Sequence, residues 1–183
     1  MSTQSTAANP APLGLLGFGM TTILLNLHNA GIIPLSLAII SMGIAMGGFA
    51  QLLAGIMEFK AGNTFGGTAF SAYGCFWFSL VIIWILPAGT KADEISMGFY
   101  LLLWCIFTTF MFIGTLKHNR ITQMVFGSLA LLFLLLSIGD FTGIAWIKIT
   151  AGIEGICCGA FAVYSAVAQI VNNEYKKIVM KVG

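Results

Sequence analysis

Four side chains near the start of the chain share one helical face. Phe18, Thr22, Asn26 and Asn29 follow one another at intervals of four, four and three residues. An aromatic ring in line with a hydroxyl and two amides suits the guidance of a small polar solute. Thr and Asn can donate hydrogen bonds to a carboxylate without a fixed cation that would trap it. Gln51, Ser71, Tyr73 and Ser79 place further polar groups in apolar surroundings. Polar groups in such segments are costly and face either a pathway or a neighbouring helix. For each residue both readings stay open.

A second candidate lies in "EFKAGNTFGGTAFSAYG", residues 58–74. Asn63, Thr64 and Thr68 are good helix caps, and Gly66 and Gly67 let another group approach the backbone. Free N–H groups at a helix start attract anions, and Lys60 is close by in sequence. The stretch reads as a landing place for a small carboxylate, or as an ordinary capped turn. Asp140 follows "SIG" at the end of an apolar run and is expected at the membrane interface. Glu154 lies well inside an apolar run, where a carboxylate is costly unless paired, hydrated or protonated. It is either a proton-linked site or a partner for a neighbouring helix. No basic residue falls in mid-membrane, so no permanent ion pair is expected there.

Enzyme chemistry finds no support. HExxH, GxSxG and cysteine–histidine signatures are absent, and His28 and His118 are expected at opposite membrane faces. Cys75, Cys105, Cys157 and Cys158 lie inside apolar runs without CxxC spacing and are expected as small core residues. No catalytic residue, metal site, cofactor or nucleic-acid partner is expected.

The elements that carry these residues follow from composition. Of 183 residues, 58% are hydrophobic and 8% charged, against about 25% charged in a soluble domain. Mean hydropathy is +0.97. Continuous apolar runs cover 13–27, 34–57, 68–86, 97–116, 121–138 and 144–171, each near the length that crosses a bilayer. The third ends at Pro87. The runs are continuous rather than alternating, so helices are expected and a β-barrel is not. The fold class is an all-α integral membrane protein of six transmembrane helices. The organisation is a flexible tail over 1–8, a six-helix domain over 9–171 and a short basic tail over 172–183. "MSTQSTAA" lacks the basic start of a signal peptide, so no cleavage is expected.

An even number of spans puts both termini on one side. Lys60, Lys117, Arg120, Lys176, Lys177 and Lys181 share that side, against Lys91 and Lys148 on the other, which predicts cytoplasmic termini in the cell membrane. Gly43, Gly47, Ala50 and Ala54 in the second run, and Ala151, Gly155 and Gly159 in the sixth, form small-residue stripes that let helices approach closely, within one chain or between chains. In "NPAPLGLLGFGM", Pro10 and Pro12 are expected to keep Asn9 and Ala11 extended, with Pro12 in the first helical turn.

The segments "NPAPLGLLGFG", "GNTFGGTAFSAYGCFW" and "FMFIGTLK" resemble the acetate uptake transporter family, over about residues 9–171. That resemblance implies six transmembrane helices, a homohexamer with a pathway through each protomer, and passage of acetate and related short carboxylates such as succinate. It also implies a narrow hydrophobic constriction, which by motif position is Phe18, Tyr73 and Leu129. It assigns no role to Glu154. Thr22, Asn26, Gln51 and Ser71 are then expected to line the path around the constriction, because donors beside an apolar ring compensate a carboxylate as it loses water. The alternatives are a channel for small neutral molecules, such as ammonia or undissociated acid, and a non-transport membrane scaffold subunit.

Overall fold

The computed structural model describes residues 8–86 and 92–183. All but the last residue of the expected N-terminal tail, the stop at Pro87 and Lys91 of the charge count lie outside the described residues. Within them, all regular structure is helical. Six helices are long and apolar enough to cross a membrane: α1 (Ala11–Asn29), α2 (Leu37–Lys60), α3 (Thr64–Ile85), α4 (Glu94–Lys117), α5 (Arg120–Thr142) and α6 (Ala145–Tyr175). A helix satisfies every backbone donor and acceptor internally, which is what a hydrocarbon environment demands. At 31 residues, α6 is about 46 Å long and outreaches a ~30 Å hydrocarbon core.

Capping residues set the boundaries. The side chains of Asn63, Asp93 and Asn119 accept hydrogen bonds from the backbone N–H groups of Gly66, Ser96 and Thr122, at 3.0, 2.8 and 3.0 Å. The bonds from Ser96 hold the Asp93 carboxyl below its ordinary range. α5 ends at Gly143, whose φ of +66° is readily reached only without a Cβ. At the N-terminus, Pro12 sits in the first turn as expected, but Ala11 is already helical rather than extended. Asn9 explains the difference. Its side chain accepts the Ala11 N–H at 3.0 Å and donates to Gln169 of α6 at 3.0 Å, so the chain turns into the helix one residue early and the two ends of the domain meet.

The helices form a ring. α1 packs between α2 and α6, α2 on α3, α6 on α5, and α5 on α4. The α3–α4 seam is wider and filled by aromatic rings: Phe76 stacks on Tyr100 at 5.8 Å, and Tyr73 meets Phe107 edge-on at 5.6 Å. Both small-residue stripes are used inside the chain. A Cβ on Gly19 of α1 would stand 2.7 Å from the Gly159 carbonyl oxygen of α6, and the reverse contact has the same length, so these two backbones touch. Gly43 and Gly47 of α2 receive the Trp77 indole of α3. Cys105 and Cys158 are buried as expected, whereas Cys75 and Cys157 lie on the outer surface. Their neighbours in the ring leave those helix faces uncovered.

One feature of α2 has no signature in hydropathy. Gly43–Ala50 is wound as a π-helix between two α-helical segments. Its wider turn is unfavourable in most sequences and recurs at functional positions. Gln51 is the residue that follows.

Candidate functional site: cavities along the bundle axis

Three cavities run along the inside of the ring. The first, about 220 Å³, lies at the end where both termini are found, among α1, α2, α3, the α4–α5 turn and the end of α6. The second is about 30 Å³ and is enclosed by α1, α3 and α5. The third, about 370 Å³, lies at the opposite end. A water needs about 15 Å³ of such space, so the middle chamber is nearly closed while the outer two are roomy.

The residues shared between cavities mark the narrow points. Phe18, Tyr73 and Leu129 border both the first cavity and the middle chamber. All three are buried, and the rings of Phe18 and Tyr73 lie 6.2 Å apart. Tyr73 is held in place: its hydroxyl shares a 2.9 Å hydrogen bond with Thr108 of α4, and Trp104, Phe107 and Phe126 pack on its ring. A second apolar set, Leu25, Phe76 and Leu136, borders both the middle chamber and the third cavity. No spacing in the sequence signals this set, because its members come from three helices distant in the chain.

The other expected residues divide into two groups. Thr22 and Asn26 line the middle chamber, and Gln51 and Asn63 line the first cavity. Asn29 faces the third cavity. Thr64, Thr68 and Ser71 line none of the three. Ser71 instead packs against Gly55 of α2, where a Cβ on the glycine would meet its hydroxyl. Asn63 spends both ends of its amide locally, accepting from Gly66 N–H and donating to Glu58 at 2.7 Å. Glu154 borders none of the three cavities, and its Oε2 has no hydrogen-bond partner among the described residues.

The amides near the narrow point are also committed. Asn26 donates to the Thr22 carbonyl at 2.9 Å and accepts from Asn29 at 2.9 Å. Gln51 donates to the Gly47 carbonyl at 2.8 Å, which leaves its own carbonyl oxygen buried and unpartnered within the protein. Glu58 is buried in the wall of the first cavity, and His118 borders the same cavity. At the far end Asp140 and Lys148 form an ion pair of 2.9 Å that borders the third cavity. This pair joins the end of α5 to the start of α6. The pair is partly exposed, and it does not touch the expectation that mid-membrane holds no ion pair.

Residues 1–183 match the GPR1/FUN34/yaaH family. The chain belongs to that family. The resemblance carried by the N-terminal motif therefore holds over the whole sequence. Among GPR1/FUN34/yaaH relatives, the succinate-acetate/proton symporter SatP of Escherichia coli strain K12 is 52% identical, over 96% of this chain and 95% of that one. Ammonia transport outward protein 2 of Saccharomyces cerevisiae is 39% identical, over 94% of this chain and 65% of that one. A solved structure described as the bacterial acetate channel SatP covers 97% of this chain and all of its own, with a TM-score of 0.95 and 52% identity. The six-helix membrane fold of this chain is that of its family.

Proposed function

We propose that this chain is a multi-pass membrane channel or transporter, not an enzyme, that passes acetate and related short carboxylates through the axis of its own six-helix bundle. The observation that carries the reading is the Phe18–Tyr73–Leu129 set between two cavities, in a fold shared with the bacterial acetate channel. An apolar neck excludes hydrated ions, and polar groups on either side receive a solute that has shed water. In this reading Phe18, Tyr73 and Leu129 form the constriction. Thr22, Asn26, Gln51 and Asn63 contact substrate, while Thr64, Thr68 and Ser71 support the helix start and the α2–α3 contact. Glu154, away from the cavities, belongs to a protein or lipid contact rather than to the substrate path. The residues before Asn9 and after Tyr175, where α6 ends, lie on the cytoplasmic side of the cell membrane. The protomers assemble as a homohexamer, an arrangement supported by the family resemblance and by the apolar outer surface of residues such as Leu103 and Phe110.

Labelled acetate uptake into vesicles holding the purified protein, above that of protein-free vesicles, tests the reading. Uptake reduced by competing propionate or succinate is expected, and uptake indifferent to every carboxylate would refute it. A second reading, passage of ammonia, is favoured by one relative's designation as an ammonia transport protein. Alkalinisation of the vesicle lumen under an ammonium gradient separates it from the first.

A further inference from the structure

Among the described residues, α3 and α4 are the one neighbouring pair in the ring whose backbones do not approach closely. Side-chain size explains the gap. Glycines let other helices touch, as at Gly19 and Gly159, whereas this seam holds Tyr73 and Phe76 of α3 against Tyr100, Trp104 and Phe107 of α4. The rings fill it from the inside only. On the outer side a groove of about 350 Å³ is left, bordered by Ala72, Tyr100, Leu103, Trp104 and Phe107. Ala72 is the one small residue of the five and leaves the room that a larger side chain would take. Leu103, 68% exposed, stands at the lip.

The chemistry and depth of the groove select its occupant. Its polar side-chain atoms are the Tyr100 hydroxyl, already bonded to Ser79 at 2.6 Å, and the Trp104 indole N–H. One indole donor does not offset the dehydration of a carboxylate, so the transported solute is excluded. An apolar space of this kind does not hold water either. Tyr100 to Phe107 straddle the middle of α4, which runs from Glu94 to Lys117, and Ala72 lies near the middle of α3. At that depth the headgroups are about 15 Å away on either side, and only the ends of acyl chains are present. Shape agrees with this. One turn of a partner helix with its side chains takes about 400–600 Å³, more than the groove offers, whereas a polymethylene chain fits. A protomer meeting α4 through Leu103 and Phe110 lies over the lip and leaves the recess behind it.

We propose that this groove binds the end of one phospholipid acyl chain, and that the chain holds the neck from outside the bundle. Trp104 and Phe107 border the groove on one side and pack on the Tyr73 ring on the other, at 5.9 and 5.6 Å. With a chain in place both rings are backed, and Tyr73 keeps its position opposite Phe18. With the groove empty they are free to move outward, and Tyr73 with them. The site rests on the membrane fold alone, while its effect on flux rests on the carboxylate-transport reading above.

Tryptophan fluorescence in vesicles of brominated phosphatidylcholine reads the site, because bromine quenches an indole it touches. Trp84→Phe and Trp146→Phe together give a background that keeps Trp77, buried in the bundle, and Trp104. Bromines near the chain ends should quench the Trp104 share of the emission, and bromines near the headgroup should quench less. Dilution with plain lipid should restore emission in direct proportion, as a single site requires; several loosely held lipids give a curved response. Adding Ala72→Phe, which fills the groove, should cut the quenching about twofold or more, and the milder Ala72→Leu should cut it less. Unquenched Trp77 emission shows that each variant is folded. Equal quenching at both depths, a curved response, or quenching untouched by both Ala72 variants would overturn the site. So would Trp104 emission indifferent to bromine at any depth, the result expected if a second copy of the chain fills the groove. Uptake is then compared in straight-chain lipid and in methyl-branched lipid, whose chains are too wide to enter. The propionate-to-acetate rate ratio of the unaltered protein should differ between the two lipids, and that of Ala72→Phe should not. An unaltered protein indifferent to the lipid, or an Ala72→Phe variant that still responds, overturns the effect on the neck. If the unaltered protein passes no acetate in either lipid, the transport reading fails while the quenching still decides the site.

Discussion

The Tyr73 hydroxyl and the Thr108 hydroxyl share a 2.9 Å hydrogen bond across the α3–α4 seam, with Thr108 fully buried. This bond fixes a ring of the neck from behind, on the side away from Phe18. Thr108→Val keeps the shape and leaves the Tyr73 hydroxyl without its partner. A loss of about 1–3 kcal/mol is expected for an orphaned buried hydroxyl. Thermal unfolding of the detergent-solubilised protein reads the stability, and a change in acetate flux in the same variant reads the neck.

Phe18 tests the neck from the other side. Its ring stands 6.2 Å from that of Tyr73, and Phe18→Ala removes most of the apolar wall contributed by α1. The relative rate for propionate or succinate over acetate should rise several-fold in vesicle uptake. Unchanged flux and unchanged selectivity would remove Phe18 from the path.

Helix contact can be tested apart from transport. Gly19→Val and Gly159→Val each force bulk against a carbonyl oxygen of the opposite backbone, and backbone cannot rotate away as a side chain can. Overpacking of this kind costs about 1–3 kcal/mol. Both variants should unfold at lower temperature. The same change at Gly143, where a Cβ meets no atom but the positive φ is strained, should lower stability through backbone strain of about 1–2 kcal/mol.

The Asp140–Lys148 pair is partly exposed, with side chains 19% and 38% accessible. Such pairs contribute about 0–1 kcal/mol, so Asp140→Asn should alter stability little. It frees a cation beside the far cavity. Initial uptake of acetate from that side should become more sensitive to salt, with the difference vanishing above about 1 M ionic strength.

After α6 the chain folds back. Asn172 accepts from the backbone N–H groups of Val179 and Met180 at 2.7 and 2.9 Å and donates to the Met180 carbonyl at 2.8 Å. The Val182 carbonyl then accepts from Ile121 N–H, at the start of α5. Asn172→Ala removes three bonds at once and should speed trypsin cleavage after Lys176, Lys177 or Lys181 by on the order of tenfold or more. Cleavage in inside-out but not right-side-out vesicles would also establish cytoplasmic termini.

Much of this molecule can be read from its sequence. The six spans follow from apolar length, since a bilayer sets the length of any helix that crosses it. Asn63 as the cap of α3 and Pro12 in the first turn of α1 are likewise local matters of backbone donors. The Phe18–Thr22–Asn26 face is legible from helical period alone, and its burial follows from that period. Phe18, Tyr73 and Leu129 could be grouped only through the family motif, because three helices must pack before the residues meet.

Local spacing misdirected the reading where local cues have two outcomes. Ser71 is one residue pair from Tyr73 in sequence, yet a helix turns it about 200° away, toward Gly55. The stripes of small residues, equally suited to contacts within or between chains, are consumed within the chain at Gly159 on Gly19 and Gly47 on Trp77. Glu154 drew attention by its cost in an apolar run, while Glu58, at a helix end, is the carboxylate that borders the first cavity.

By itself the sequence determined the membrane class, the six helices, their capped ends and the family to which they belong, because each depends on composition or on neighbours within about one turn. Only the tertiary structure decided that two apolar sets enclose a chamber of about 30 Å³, that Asp140 meets Lys148, and that the Gln51 carbonyl is buried without a partner. Those features depend on which faces of separate helices meet and on a local π-helical turn, and hydropathy along one helix carries no record of either.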